Sequence, residues 1–385
     1  MNINNPGLYG IKHSNRDFTN KSTWGKNQFN SSFPASLSAY LDKKGFENVY
    51  LTLNKDLKVI HQKISTSDFF GLAPTSDDLF YSFESAYTPY EQLLVGHLPR
   101  VDLVTQRKSS GQALKPIEIK LTALPDNTTC ELSENQYGTE IVIRPDTIVY
   151  LACSIAFNFR NKLDELRSHF SSDFKKIADW TEGTDVWAYL PQMLETIDAI
   201  TLSILDKQEP ILMQPIWKTQ GKSPALAENC LDVFVWSNFA FTQLFLDVAR
   251  GELSTNNRIT RQIRTIIWLF KMLYDFSLNG QFNHAQIIDA LSYNNLKRKF
   301  FKDFPYKDIY THTHLCTCKF TTHPYNTFVY IYRHFCVSGN ISLYGARTDQ
   351  PTDTFVYLEP TRRDNRSREL KHNLKRVYNT TDRDF

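Results

Sequence analysis

VDLVTQRKSSGQALKPIEIK, residues 101–120, decides how the chain is read. In 101–104 Val101 and Leu103 fall on one face of an alternating segment and Asp102 on the other. In 116–122 Ile117, Ile119 and Leu121 share a face, leaving Glu118 and Lys120 opposite. RKSSGQ between them is a turn signal, so a hairpin centred near Ser110–Gly111 is expected. About that centre Asp102 pairs with Glu118 or Lys120, and the three polar groups gather on one face of neighbouring strands. Strands with apolar partners rarely carry charge unless something compensates it.

Two carboxylates and a nearby backbone carbonyl, that of Ile119, make a hard oxygen donor set for Mg²⁺ that leaves positions for water and a phosphate oxygen. A metal there polarises a phosphate and acidifies a bound water. Lys120 then orients that water or stabilises charge on phosphorus. Acid-x-Lys alone is a weak signal. The chain has five: Asp42-x-Lys44, Asp56-x-Lys58, Glu118-x-Lys120, Asp173-x-Lys175 and Glu369-x-Lys371. Only Glu118 lies inside an apolar strand with a matching upstream acid. The plain alternative is a cross-strand salt bridge on a solvated face, which contributes little. A further acid is expected from a helix before the first strand. TSDDLFYSFESAY (75–87) has helical spacing and supplies Glu84. Glu91 belongs to Thr88-Pro89-Tyr90-Glu91, a capping box with Pro at the first helical position.

The chain's 385 residues allow one large or two ordinary domains. Apolar content of 41% and charged content of 22% are those of a soluble globular protein. A net charge of only +3 means that any basic surface for nucleic acid must be local. Six cysteines in this length do not suggest a disulfide scaffold, and with the polar start a reduced, cytoplasmic, soluble protein is expected. No membrane partner is expected, because IRTIIWLFKMLYDF (263–276) is too short to span a bilayer and contains Lys271.

Outside the hairpin, residues 22–34 read as an ordered loop and 35–45 as a helix ending at Gly45. VYLTL (49–53) and LKVIHQKI (57–64) form a second hairpin pattern around 54–56, and 139–145 a third strand. Helices are expected at 146–170, 186–207, 239–251 and 256–279, and strands at 210–217 and 230–236. Residues 308–358 turn β-rich, and a basic, polar tail follows from Thr361. The chain therefore reads as an α/β protein: a mixed central sheet flanked by helices, with additional helical and β-rich C-terminal parts. Residues 1–250 hold the N-terminal arm and core, and 251–385 the helical and β-rich region with its basic tail.

Several stretches offer grips on DNA. The tail from Thr361 carries eight Lys/Arg against four acids, and NNRITRQIR (256–264) and LKRKFFK (296–302) supply further basic faces. KSTWGKNQFNSS (21–32) contains side chains that read base edges. The same residue types also make solvated tails, helix surfaces and ordinary loops. A hairpin turning near Tyr325 sets His314 opposite Cys336 and Cys316 opposite His334, a Cys₂His₂ set for structural Zn²⁺. The C-x₂-C knuckle is missing, and cysteine is also a common buried hydrophobe.

Asp102 followed by Glu118-Ile119-Lys120 resembles the PD-(D/E)XK nuclease superfamily, although Pro99 stands three residues before Asp102. A longer likeness, NPGLYGIKHSNRDFTNKSTWGKNQFNSSFPASLSAYL (5–41) with LPRVDLV (98–104) and PIEIKLTALPD (116–126), is similar to the HindVP/HgiDI group of type II restriction endonucleases. The resemblance implies a restriction-endonuclease-like fold within a bacterial restriction-modification system. It also implies Mg²⁺-dependent double-strand cleavage of DNA at a palindrome of the form G-R-C-G-Y-C. Asp102 and Glu118 would hold metal and Lys120 would serve catalysis. A two-fold symmetric site implies a homodimer. Two alternatives remain open: a DNA-binding module whose acids are structural, and a repair-type or structure-specific nuclease on the same core.

Overall fold

The computed structural model describes residues 11–16, 26–119 except 44, 46 and 54–58, then 142–143, 145–215, 218–220, 223–225, 233–255, 259, 261–291, 293 and 318–319. Helix α1 (Lys26–Lys43) begins inside the stretch expected as a loop and runs through Pro34. Its polar N-terminal half lacks apolar periodicity, and the packing of Ala35, Leu37 and Leu41 supplies what propensity does not. The helix ends where glycine predicts. Gly45 has φ +80, and its N–H closes on the Asp42 carbonyl at 2.9 Å.

Strands β1 (Asn48–Leu53) and β2 (Val59–Ile64) form the expected hairpin, with Asn48 opposite Ile64 and Leu53 opposite Val59. Helix α2 (Thr66–Phe70) is capped by Ser65, which accepts the Asp68 N–H, and stops at Gly71 with φ +82. The helix expected over 75–87 is instead strand β3 (Leu79–Ser85), so Glu84 comes from a strand. LFYSF fits both periods, but Leu79, Tyr81 and Phe83 are buried alternately and aromatics favour the pleated surface. The capping box is likewise replaced by a 3₁₀ turn over Thr88–Leu93, with Tyr87 at the N-cap and no side-chain cap bond. Glu91 is exposed there.

Strands β4 (Val101–Arg107) and β5 (Ala113–Ile119) are the hairpin of the opening stretch. The Gly111 N–H bonds the Arg107 carbonyl at 2.8 Å, and a bulge at Thr105/Gln106 shifts the pairing near the turn. Of the expected third strand, Val142–Ile143 form β6, which pairs outside the main sheet, and 139–141 lie outside the described residues. The long helix expected next is two, α3 (Pro145–Phe159) and α4 (Leu163–Ser168). Helices α5 (Gly183–Trp187) and α6 (Leu190–Ser203) divide 186–207, with Pro191 in the first turn of α6.

Strand β7 (Pro210–Pro215), the short hairpin β8 (Lys218–Gln220) and β9 (Ser223–Ala225), and strand β10 (Val233–Ser237) follow. Helices α7 (Asn238–Thr255), α8 (Arg261–Asn279) and α9 (His284–Ala290) come next, and β11 (Cys318–Lys319) pairs with β6. The main sheet has the order β2-β1-β10-β7-β5-β4-β3. It is mixed: β1–β10 and β5–β7 are parallel, and the other pairs antiparallel.

Alternation sends neighbouring residues into two cores. Leu103, Ile117, Met213 and Val235 pack with α1 and α2 on one face. Val104, Leu212 and Trp236 pack on the other against α3 and α7, with α8 behind them. Fully burying a side chain such as Leu103 or Ile117 contributes roughly 1.5–3 kcal/mol. The strands are thus fixed from both faces. Among the described residues no helix is long and apolar enough to cross a membrane.

Candidate active site

The ladder between β4 and β5 keeps Leu103 opposite Ile117. One step further along the same register, Asp102 faces Glu118. On the other side of β4, Phe83 pairs with Leu103 and Ser85 with Val101, which sets Glu84 beside Asp102. Neighbouring positions on antiparallel strands lie about 4.5–5.5 Å apart between Cα atoms. Glu84, Asp102 and Glu118 therefore form a row across β3, β4 and β5, at the C-terminal ends of the two outer strands of the three.

Asp102 is half-buried, and its Oδ2 accepts the backbone N–H of Ile119 at 2.8 Å. Glu118 is only 6% exposed. Its Oε1 accepts a hydrogen bond from Thr147 Oγ1 at 2.9 Å. Thr147 sits in the first turn of α3, whose positive end favours a carboxylate. One turn on, the Tyr150 hydroxyl donates to the Pro99 carbonyl at 2.9 Å and accepts the Tyr87 N–H at 3.0 Å. It ties the approach to β4 to the exit of β3. Burial chiefly, with Cys153, Glu118 and Asp146 adding to it, pushes Tyr150 well above the ordinary tyrosine range, so it remains a donor.

Glu84 is exposed, with φ +51, and its Oε1 pairs with Arg16 Nη2 at 3.0 Å. The Arg16 guanidinium also bonds Ser32 Oγ on α1 and lies 4.5 Å from the Phe83 ring centroid. Burial lowers the Arg16 pKa, and the charges of Glu84 and Asp102 raise it. The third acid is therefore in the row, but its carboxylate is engaged by an arginine.

Lys120 lies outside the described residues, as do His314, Cys316, His334 and Cys336, the basic stretch 296–302 and the tail from Thr361. Among the described residues no group of three or more His, Cys, Asp or Glu side chains is set to hold a metal. The pair Asp102 and Glu118 remains: adjacent hard anionic oxygens, one buried and held by a hydroxyl. That donor chemistry fits a small divalent cation whose other positions are filled by water and substrate. Within 256–264, Arg264 is 3% exposed and stacks on Trp268 at 4.9 Å, so it packs inward and offers no phosphate grip.

Sequence reading missed Thr147, Tyr150 and Arg16. Thr147 follows Pro145-Asp146 at a recognisable helix start, a usable signal. Arg16 sits in a polar, aperiodic stretch that gives none.

A family model described as HindVP restriction endonuclease matches residues 24–325. The chain is 43% identical over 292 residues to "Type II restriction enzyme HgiDI" of Herpetosiphon aurantiacus, spanning 76% of this chain and 80% of that one. It is 41% identical over 302 residues to "Probable type II restriction enzyme HindVP" of Haemophilus influenzae, spanning 78% and 80%. No solved structure matches the chain.

Proposed function

This chain belongs to the HindVP restriction endonuclease family, and we propose that it cuts DNA with Asp102, Glu118 and Lys120 as the cutting site. It is a type II restriction endonuclease, a site-specific deoxyribonuclease. The observation that carries the site assignment is Asp102 beside Glu118, both fastened, at one end of the sheet and inside the matched stretch.

The Asp102 and Glu118 carboxylates and the Ile119 carbonyl would hold Mg²⁺. When bound, Mg²⁺ polarises the scissile phosphate and acidifies a coordinated water. The chain's own residues supply the positioning. Thr147 holds the Glu118 carboxylate, and the Ile119 N–H holds that of Asp102. Lys120, the next residue, brings the positive charge that steadies the phosphate as charge builds on it. Glu84 is the third acid of the row.

The recognised site is a short palindrome of the form G-R-C-G-Y-C, cut on both strands by a homodimer. Residues 251–385, with their basic tail, contribute DNA contacts or the dimer surface. The enzyme works in the bacterial cytoplasm as the cutting half of a restriction-modification system.

Incubating the purified protein with phage DNA and Mg²⁺, then sequencing the fragment ends, tests this directly. Discrete fragments ending at one palindrome are expected. Binding without strand scission would favour a non-catalytic DNA-binding protein, and smears or trimmed ends a structure-specific nuclease.

A further inference from the structure

The first described segment, residues 11–16, runs alongside β3 like an added strand. Ser14 bridges Tyr81 in parallel, and the His13 carbonyl and Asn15 N–H bond Tyr81. Beyond that point the Asn15 side chain continues the ladder, accepting the Phe83 N–H and donating to its carbonyl, both at 2.9 Å. The next residue, Arg16, is thereby delivered to the end of the sheet that carries the acids. Three contacts fix it there: the face of Phe83, Ser32 of α1, and Glu84. Its side chain is 9% exposed, while that of Glu84 is 50% exposed. Arg16 is thus nearly buried, with its charge paired to Glu84 at the outer end of the row and Asp102 near enough to act on it.

Resting on the metal assignment above, we propose that Arg16 is a positioning residue that competes with the divalent cation for the acidic row, holding Glu84 aside and opposing the charge of Asp102. Two like charges near one set of carboxylates raise each other's free energy, so a fixed guanidinium weakens cation binding. The Glu84 it pairs with sits at φ +51, a backbone conformation that a glutamate adopts at a cost. Metal is then retained best when DNA phosphate adds further oxygen ligands, which couples metal retention to substrate.

The test is Mn²⁺ binding to the full-length protein without DNA, read by electron paramagnetic resonance of free Mn²⁺. Arg16→Met should bind Mn²⁺ about three- to tenfold more tightly than the unaltered protein, and Arg16→Lys within about twofold of it. Unchanged or weaker binding by folded Arg16→Met overturns the proposal. Should Arg16→Met not fold, Glu84→Gln serves, because Glu84 is exposed and its replacement leaves packing intact. It leaves Arg16 acting undivided on Asp102, so Mn²⁺ affinity should fall about threefold; an unchanged value overturns the proposal. Asp102→Asn separates the two levels. Its loss of Mn²⁺ binding alongside an unchanged Arg16→Met defeats the competition alone, whereas Mn²⁺ binding equal to that of the unaltered protein defeats the metal assignment and the role of Arg16 with it.

Discussion

Asp102 Oδ2 takes the backbone N–H of Ile119 at 2.8 Å, fastening the acid at the start of β4 to the strand that carries Glu118. The two carboxylates thus hold their separation without help from a flexible loop. A site built on paired strands keeps its geometry better than one built on loops.

Asp102→Asn separates that structural bond from the chemistry. Asn still presents an oxygen to the Ile119 N–H, so thermal or urea unfolding should change by about 1 kcal/mol. Removing the charge should lower Mg²⁺-dependent cleavage by about a thousandfold or more. Single-turnover cleavage beside a melting curve checks both.

Thr147→Val leaves Glu118 buried without its hydroxyl partner. A hydrogen bond to a charged group contributes about 1.5–3 kcal/mol, so the variant should lose that order of stability. Cleavage should slow about tenfold as the carboxylate loses its orientation. Thr147→Ser keeps the hydroxyl and should restore both properties, which unfolding and cleavage assays on the two variants would show.

Stability should fall on acidification for a reason apart from the acids. His284 Nε2 donates to the His97 carbonyl at 2.8 Å, and its pKa is lowered from 6.5, mainly by burial. Between that lowered value and 6.5 the unfolded chain binds more protons, so stability rises with pH across this window and is lost below it. His169 and His13, both lowered mainly by burial, add slopes of the same sign. Melting temperatures at pH 7.5 and 5.5 should show a drop, and His284→Gln should flatten it.

Much of the central hairpin was legible because Asp102 and Glu118 interrupt otherwise apolar alternation and Gly111 marks the turn. Its left-handed φ of +71 is what glycine provides at no steric cost. The step from Leu103–Ile117 to Asp102–Glu118 then follows from counting. Glu84 reaches the row from a strand, where its sequence spacing suggests a helix. Leu79, Phe80 and Phe83 satisfy helical spacing as well as strand spacing, and only pairing with β4 decides between them. The start of α1 is illegible for the opposite reason: KNQFNSS has no period, and Pro34 falls inside the helix. Arg16 could not be read at all, since its place depends on Asn15 imitating a backbone ladder across more than sixty residues of sequence.

The most direct measurement is cleavage and binding by Lys120→Ala on DNA bearing the recognised palindrome, with binding followed in Ca²⁺ and cleavage in Mg²⁺. Affinity should stay within a few-fold of the unaltered enzyme while strand scission disappears. Cleavage at an undiminished rate would contradict a cutting site made of Asp102, Glu118 and Lys120.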